Sequence, residues 1–273
     1  MAIGLMLDDA IAASVQAHGR ESETEHVESA QALVVQNDEL RISERKRDEL
    51  LAVLGHELRN PLAPVRHAVA LLQVSGHDQQ SYASIVEILD RQTTVLTRVV
   101  DDLLDFSRLA QGKLHLHLDK LDLSELLRHV VHDVASSFQE CQLQLLLDAS
   151  EGQIAIRGDR SRLVQVLMNL LTNARKFTLP GGEIRVRLEC LRPQNQVRLS
   201  IRDTGIGIEA DLLPRIFEAF AQGRQSLIEG RSGLGLGLAI VKQIVELHGG
   251  SIDVHSAGPG LGAEFALMLP CTP

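Results

Sequence analysis

Apolar residues recur at helical spacing from Arg47 to about Val74, at Leu50, Leu51, Leu54, Leu58, Leu62, Val65, Val69 and Leu72. Pro61 and Pro64 fall inside this run. A proline removes a backbone donor and clashes with the preceding turn, so a bend is expected just after His56. Ser75-Gly76-His77-Asp78 reads as a turn. A second helix is predicted from about Ser81 to Leu109, with the seam Ile85, Leu89, Leu96, Val99, Leu103 and Phe106 and a polar step at Gln92. Two long helices joined by a short loop predict an antiparallel hairpin. One hairpin leaves both seams exposed, whereas two together bury them as a four-helix bundle, so a homodimer is expected. Upstream, residues 1 to about 45 are polar and helix-prone, with Val27, Ala30, Val34, Leu40 and Ile42 thinly spaced. This lead-in fits either a loose coiled coil or a solvated helix.

Gln111-Gly112-Lys113 breaks the second helix, and beyond it the pattern becomes mixed. Leu114, Leu116 and Leu118 alternate with polar residues, which predicts a half-buried strand. Ser124 is the expected N-cap of a helix running to about Cys141. Short strands are predicted near 143–148 and 154–157, a helix over 160–176, and strands near 183–190 and 196–202. A helix over 237–248 and strands at 251–256 and 263–269 complete an α/β sandwich. The chain therefore divides into a lead-in (1–45), a helical hairpin (46–112) and a sandwich (113–273).

Composition narrows the function. Hydrophobic residues at 44% and charged residues at 23% describe an ordinary globular protein. A net charge of -9, with no Trp and one Tyr, argues against a nucleic-acid partner. Cys141, Cys190 and Cys271 lack paired or metal-ligand spacing, so a reducing, cytoplasmic setting is expected. No apolar run reaches the roughly 18 residues of a membrane helix. The opening Met1–Leu7 lacks the basic start of a signal peptide.

Several segments carry chemistry. In His56-Glu57-Leu58-Arg59-Asn60-Pro61-Leu62, residues 56 and 60 share a helix face. A neutral imidazole is a good nucleophile near neutral pH, because its ordinary pKa is about 6.5. Glu57 is placed to hold one ring nitrogen while the other attacks. Asn169 and Asn173, also i and i+4, offer hard carboxamide oxygens suited to Mg²⁺, and Lys176 offers a point charge for phosphate. Asp203 ends an apolar strand, where a buried carboxylate can accept a hydrogen bond from an exocyclic amino group such as that of adenine. Gly205 and Gly207 then permit close backbone approach to a ligand. Gly233, Gly235 and Gly237 precede a helix, whose N-terminal amides attract anions. Residues 221–232 carry little that could form a core and read as a lid, with Phe217 and Phe220 at its base. Taken singly, either Asn reads better as a helix cap or a core hydrogen bond, and the Asp203–Gly207 pattern occurs in many ordinary turns.

From about residue 45 onward the chain resembles the transmitter region of two-component sensor histidine kinases. His56–Leu62 is similar to the family's phosphoacceptor box and Asn169–Phe177 to its N box. Residues 203–207 and 233–237 resemble its two glycine boxes, with Ile216–Phe220 as the F box between them. The resemblance implies a dimerisation hairpin followed by a Bergerat-type ATP-binding sandwich. It implies autophosphorylation of His56 with Mg·ATP and transfer to an aspartate of a response regulator. By position it gives Glu57 a part in proton movement, Asn60 the orientation of water for dephosphorylating the regulator, and Asn173 the main Mg²⁺ contact with Asn169 nearby. Asp203 then selects adenine.

Other readings use the same sandwich: a binding protein without turnover, an ATPase of the chaperone, mismatch-repair or topoisomerase group, or an anti-sigma serine kinase. The last two do not need a phosphohistidine helix. The family usually joins this core to a sensor domain, and neither sensor nor receiver is visible in the sequence. The expectation is a kinase that takes its input from a partner, or a piece of a longer chain.

Overall fold

The computed structural model describes residues 54–55, 58–73, 79–149, 152–191, 194–223 and 234–271. The lead-in, His56, Glu57, the turn at 75–78, residues 224–232 of the expected lid and Gly233 lie outside the described residues.

Residues 58–72 form helix α1, which runs unbroken through Pro61 and Pro64. The bend expected just after His56 falls outside the described part. Helix α2, Gln79–Ala110, extends the predicted second helix by one or two residues at each end. Thr93, Thr94 and Thr97 each turn a hydroxyl back onto a carbonyl of the preceding turn, so these polar side chains are accommodated within the helix itself. Ile85 is buried, but Leu62, Val69, Leu72, Val86, Val95 and Leu104 stay exposed along the two helices. These apolar faces are more than a single chain covers.

The second half opens with strand β1, Asp119–Asp122, paired antiparallel with β3, Ala155–Gly158. This corrects the strand expected over Leu114–Leu118: those residues are irregular, and the strand begins only where β3 offers backbone partners. Helix α3, Leu123–Glu140, is capped by Asp122 rather than Ser124. The Asp122 carboxylate accepts the Ser124 N–H at 2.9 Å and the Ile154 N–H at 3.2 Å, a bond across to the approach to β3 that Ser124 could not make. Among the described residues the buried Ser124 hydroxyl has no partner.

Strands β2 (Gln144–Ala149), β4 (Glu183–Leu191), β5 (Gln196–Asp203), β6 (Ser251–His255) and β7 (Ala263–Pro270) build one mixed sheet in the order β2-β4-β5-β7-β6. In it β2 and β4 run parallel, and the other neighbours are antiparallel. Alternate residues of β4, β5 and β7 (Ile184, Val186 and Leu188; Val197, Leu199 and Ile201; Phe265, Leu267 and Leu269) are buried. Helices α3, α4 (Arg160–Phe177) and α5 (Gly237–Leu247) pack against that sheet. Leu167, Leu170 and Leu171 of α4 and Ile240, Val241 and Ile244 of α5 close the core. Each such side chain stabilises the fold by roughly 1.5–3 kcal/mol. The opposite sheet face carries Arg185, Arg187, Arg198 and Arg202. Among the described residues no helix is long and apolar enough to cross a membrane.

Candidate active site

The C-terminal half of α4, the end of β5 and the loop after it enclose a pocket of about 100 Å³. Asn173 and Phe177 of α4 form one side, Ile206 to Glu209 another, and Asp203 and Phe265 the floor. Almost every wall is apolar, so a polar group on the floor has leverage over what binds. That group is the Asp203 carboxylate, 7% exposed. Its Oδ1 accepts the Gly205 N–H at 2.8 Å, and the Ala263 N–H also bonds it. Burial pushes the Asp203 carboxyl above the ordinary aspartate range, and these two amides offset only part of that rise.

The glycines of the 203–207 segment have a reason the sequence does not disclose. A Cβ on Gly205 would meet the Phe177 carbonyl oxygen at 2.3 Å. Gly207 has φ +70, and a Cβ there would lie 2.1 Å from the Gly258 carbonyl oxygen. Both glycines therefore let the pocket loop press onto the protein's own backbone. The loop is clasped by the turn before β7, where the Gly260 N–H donates to Ile206 at 2.6 Å and the Gly262 N–H to Gly205 at 3.1 Å. Ser256 completes the clasp, accepting the Ile208 N–H and donating to the Gly262 carbonyl. Sequence reasoning missed this turn, although Gly258-Pro-Gly-Leu-Gly262 is a visible glycine cluster.

Asn169 and Asn173 lie one turn apart on α4 but face different surroundings. Asn173 lines the pocket. Asn169 is buried, with its Nδ2 3.5 Å from the Gly237 carbonyl at the start of α5. Lys176 lies in the last turn of α4, with its ammonium 4.8 Å from the centre of the Phe177 ring. Gly235, at φ +67, packs against the backbone of Phe220 and Ala221, and its carbonyl accepts the Phe220 N–H at 3.0 Å. Phe220 itself takes φ +66, a strained conformation for a bulky residue. Its ring meets Phe106 of α2 edge-on at 5.5 Å, and Phe217 meets Phe265 edge-on at 6.3 Å. Phe217 and Phe220 thus each have an aromatic partner. Ile208, Leu212 and Leu238 also line the pocket, with no sequence signal beyond hydrophobicity. Asn60 is exposed on α1. Gly233 lies outside the described residues, as do His56 and Glu57.

Residues 46–112 match the family described as His Kinase A (phospho-acceptor) domain. Residues 158–273 match Histidine kinase-, DNA gyrase B-, and HSP90-like ATPase. The chain is 34% identical over 252 residues to sensor protein GacS of Pseudomonas syringae pv. syringae, covering 89% of this chain and 28% of GacS. The solved structure of full-length ShkA in complex with AMPPNP superposes with a TM-score of 0.61 at 31% identity, over 82% of this chain and 46% of ShkA. The histidine kinase ThkA in complex with response regulator protein TrrA gives a TM-score of 0.58 at 25% identity, over 84% of this chain and 65% of that one. The chain spans less than a third of the length of the curated GacS proteins it matches.

Proposed function

The chain belongs to the sensor histidine kinase family, and on that premise we propose that it phosphorylates His56 from ATP and passes the phosphoryl group to an aspartate of a response regulator. The observation that carries this reading is the pocket that joins Asn173 of α4 to the buried Asp203 carboxylate. An apolar slot with an acceptor on its floor suits the flat base of ATP, with Asp203 receiving the exocyclic amino group. Lys176 and the backbone around Gly205, Gly207, Gly233, Gly235 and Gly237 then face the phosphates.

The donor set fits Mg²⁺. Among the described residues no group of three or more acidic, His or Cys side chains could hold a metal by itself. Asn173 would hold the ion through one carboxamide oxygen, a sparse donor set that suits an ion keeping most of its waters. When bound, Mg²⁺ would neutralise charge on the phosphates. The chain's own residues do the rest. Glu57 holds one imidazole nitrogen of His56 and thereby fixes the tautomer. The lone pair of the other nitrogen attacks the γ-phosphorus, the N–P bond forms, and the bond to ADP breaks. Catalysis is mostly positioning and charge stabilisation. Asn60, one turn from His56 in sequence, orients water for dephosphorylating the regulator.

The exposed apolar faces of α1 and α2 support a homodimer in which two hairpins form one bundle. Cys141, Cys190 and Cys271 form no disulfide with one another, which supports a reducing, cytoplasmic setting.

Incubation with Mg²⁺ and γ-labelled ATP tests the reading, with wild type beside His56→Gln. Acid-labile label that vanishes in the variant is expected. Label that persists in the variant, or never forms in wild type, overturns it.

A further inference from the structure

The sheet face turned away from the helices carries a polar recess of about 400 Å³. Glu183, Arg185 and Arg187 of β4, Ser200 and Arg202 of β5, and Glu264 of β7 line it. Successive side chains of a strand point to opposite faces, so the neighbours Arg202 and Asp203 serve different cavities. Asp203 belongs to the nucleotide pocket and Arg202 to the recess behind it.

Charged rows on a solvated sheet face ordinarily neutralise one another across the strands. Here one charge is left over. Arg185 and Arg202 are register partners, so two like charges stand directly opposite each other, which costs stability. Glu264 is the register partner of Arg202 on β7, but its Oε1 lies 2.9 Å from Arg198 Nη2 instead. Arg185 turns to Glu183, with Nη2 at 2.8 Å and Nε at 3.2 Å from Oε1, and keeps Nη1 in hand. Arg187 turns away to Asp148 of β2 at 3.0 Å. Among the described residues the exposed Arg202 therefore makes no ion pair.

A second observation sits on the floor. Ser200, opposite Arg187 in register, is 7% exposed and lines the recess, yet among the described residues its hydroxyl makes no hydrogen bond. Buried hydroxyls are ordinarily satisfied, so this one points to an acceptor that enters from outside. We propose that the recess binds a dianionic phosphate group, free or carried on a small molecule, between Arg202, Arg185 and Ser200. The whole guanidinium fork of Arg202, Nη1 of Arg185 and the Ser200 hydroxyl supply donors from three directions, as the terminal oxygens of a phosphate require. A carboxylate has two oxygens in one plane, which a single fork already satisfies. The recess is of the size that takes small ligands, and Glu183 and Glu264 remain to accept hydroxyls of the molecule that carries the phosphate. The site lies on the far face of the sheet from the nucleotide pocket and does not depend on the kinase reading.

The test titrates inorganic phosphate and glycerol phosphate separately into the isotope-labelled full chain, with ionic strength held constant by sodium chloride. Backbone amide signals of Arg185, Ser200 and Arg202 are expected to shift and saturate, with a dissociation constant on the order of a millimolar or tighter. Arg202→Gln is expected to weaken binding by about 10- to 100-fold and Ser200→Ala by about 5- to 10-fold. Tighter binding of glycerol phosphate assigns the ligand to a phosphorylated small molecule, and equal affinity assigns it to free phosphate. Shifts confined to residues 205–207 of the nucleotide loop, shifts that sodium chloride alone reproduces, no saturation, or unchanged affinity in either variant overturns the proposal.

Thermal melts separate binding from a structural role. Without added anion, Arg202→Gln removes one of two opposed like charges, so its Tm is expected to equal or exceed that of wild type. Added phosphate is expected to raise the Tm of wild type and leave that of Arg202→Gln nearly unmoved. A variant that melts lower than wild type without phosphate, or that gains as much from phosphate, overturns the assignment.

Discussion

The imidazole Nε2 of His248 accepts the backbone N–H of Asp159 at 2.9 Å, which ties the end of α5 to the start of α4. An amide can only donate, so Nε2 carries no proton. The proton sits on Nδ1, which donates to the Ile244 carbonyl at 2.7 Å. His248 is 6% exposed, so losing the ring leaves the Asp159 N–H buried without an acceptor. His248→Ala is expected to cost about 1–3 kcal/mol from that orphaned donor, with the emptied ring space adding to it. A chemical-denaturation midpoint equal to that of wild type would refute the assignment.

The Asp159 carboxylate governs acid stability at the same junction. Burial pushes its carboxyl up, but hydrogen bonds from the Ser161 hydroxyl and from the His117, Arg162 and Ser161 amides outweigh this and hold it below the ordinary aspartate range. A carboxyl lowered on folding contributes stability that is fully present above the unfolded value, about 4, and is lost as pH falls through the folded one. Wild type should therefore lose stability steeply below about pH 4, whereas Asp159→Asn starts weaker and shows a flatter acid limb. Urea titrations at several pH values decide it, and parallel acid limbs for the two proteins would count against this role.

Asp203 shifts the opposite way, and its sign reverses. Its carboxyl is raised by burial, so the folded state favours the protonated form. Ionisation then costs stability as pH rises through the window between the unfolded and folded values. Nucleotide binding needs the ionised acceptor. Asp203→Asn should be more stable than wild type at neutral pH while binding ATP about 10- to 100-fold more weakly, the worth of a charged hydrogen bond. Acidification should weaken ATP binding in wild type before an ordinary aspartate would protonate. Isothermal titration beside thermal melts checks both halves, and a variant that loses stability along with affinity contradicts the argument.

Asp105 and Asp122 mark what the sequence could and could not disclose. The helices and most strands were legible because apolar period alone decides them: α4 over Arg160–Phe177 and β7 over Ala263–Pro270 fall within a residue or two of expectation. β1 was not, because its Asp-Lys-Leu-Asp has no strand pattern and forms through pairing with β3, while Leu114–Leu118 has the pattern without a partner strand among the described residues. Asp122 and Ser124 are equally good caps by type, and only the bond to Ile154 separates them. The pocket residues Asn173 and Asp203 were legible by chemistry, since polar groups are scarce in such positions. Asp105, which accepts from Arg162 Nη1 at 2.6 Å, His248 and the 258–262 turn were not, because each acts through a partner more than 50 residues away along the chain.

Two glycines with the same apparent purpose should respond oppositely to a methyl group. At Gly207 the backbone has φ +70, and an added Cβ would lie 2.1 Å from the Gly258 carbonyl oxygen, a backbone atom that can yield only if the whole turn shifts. Gly237 begins α5, and a Cβ there would meet the Asn169 carboxamide at 3.7 Å, an ordinary contact. Gly207→Ala should lose about 1–3 kcal/mol through strain and deform the pocket loop. Gly237→Ala should be neutral or gain roughly a few tenths of a kcal/mol through reduced freedom of the unfolded chain. Thermal melts of the unliganded proteins separate the two sites without reference to turnover. Equal destabilisation at both positions would mean that the glycines serve the fold in the same way, contrary to the contacts at Gly207.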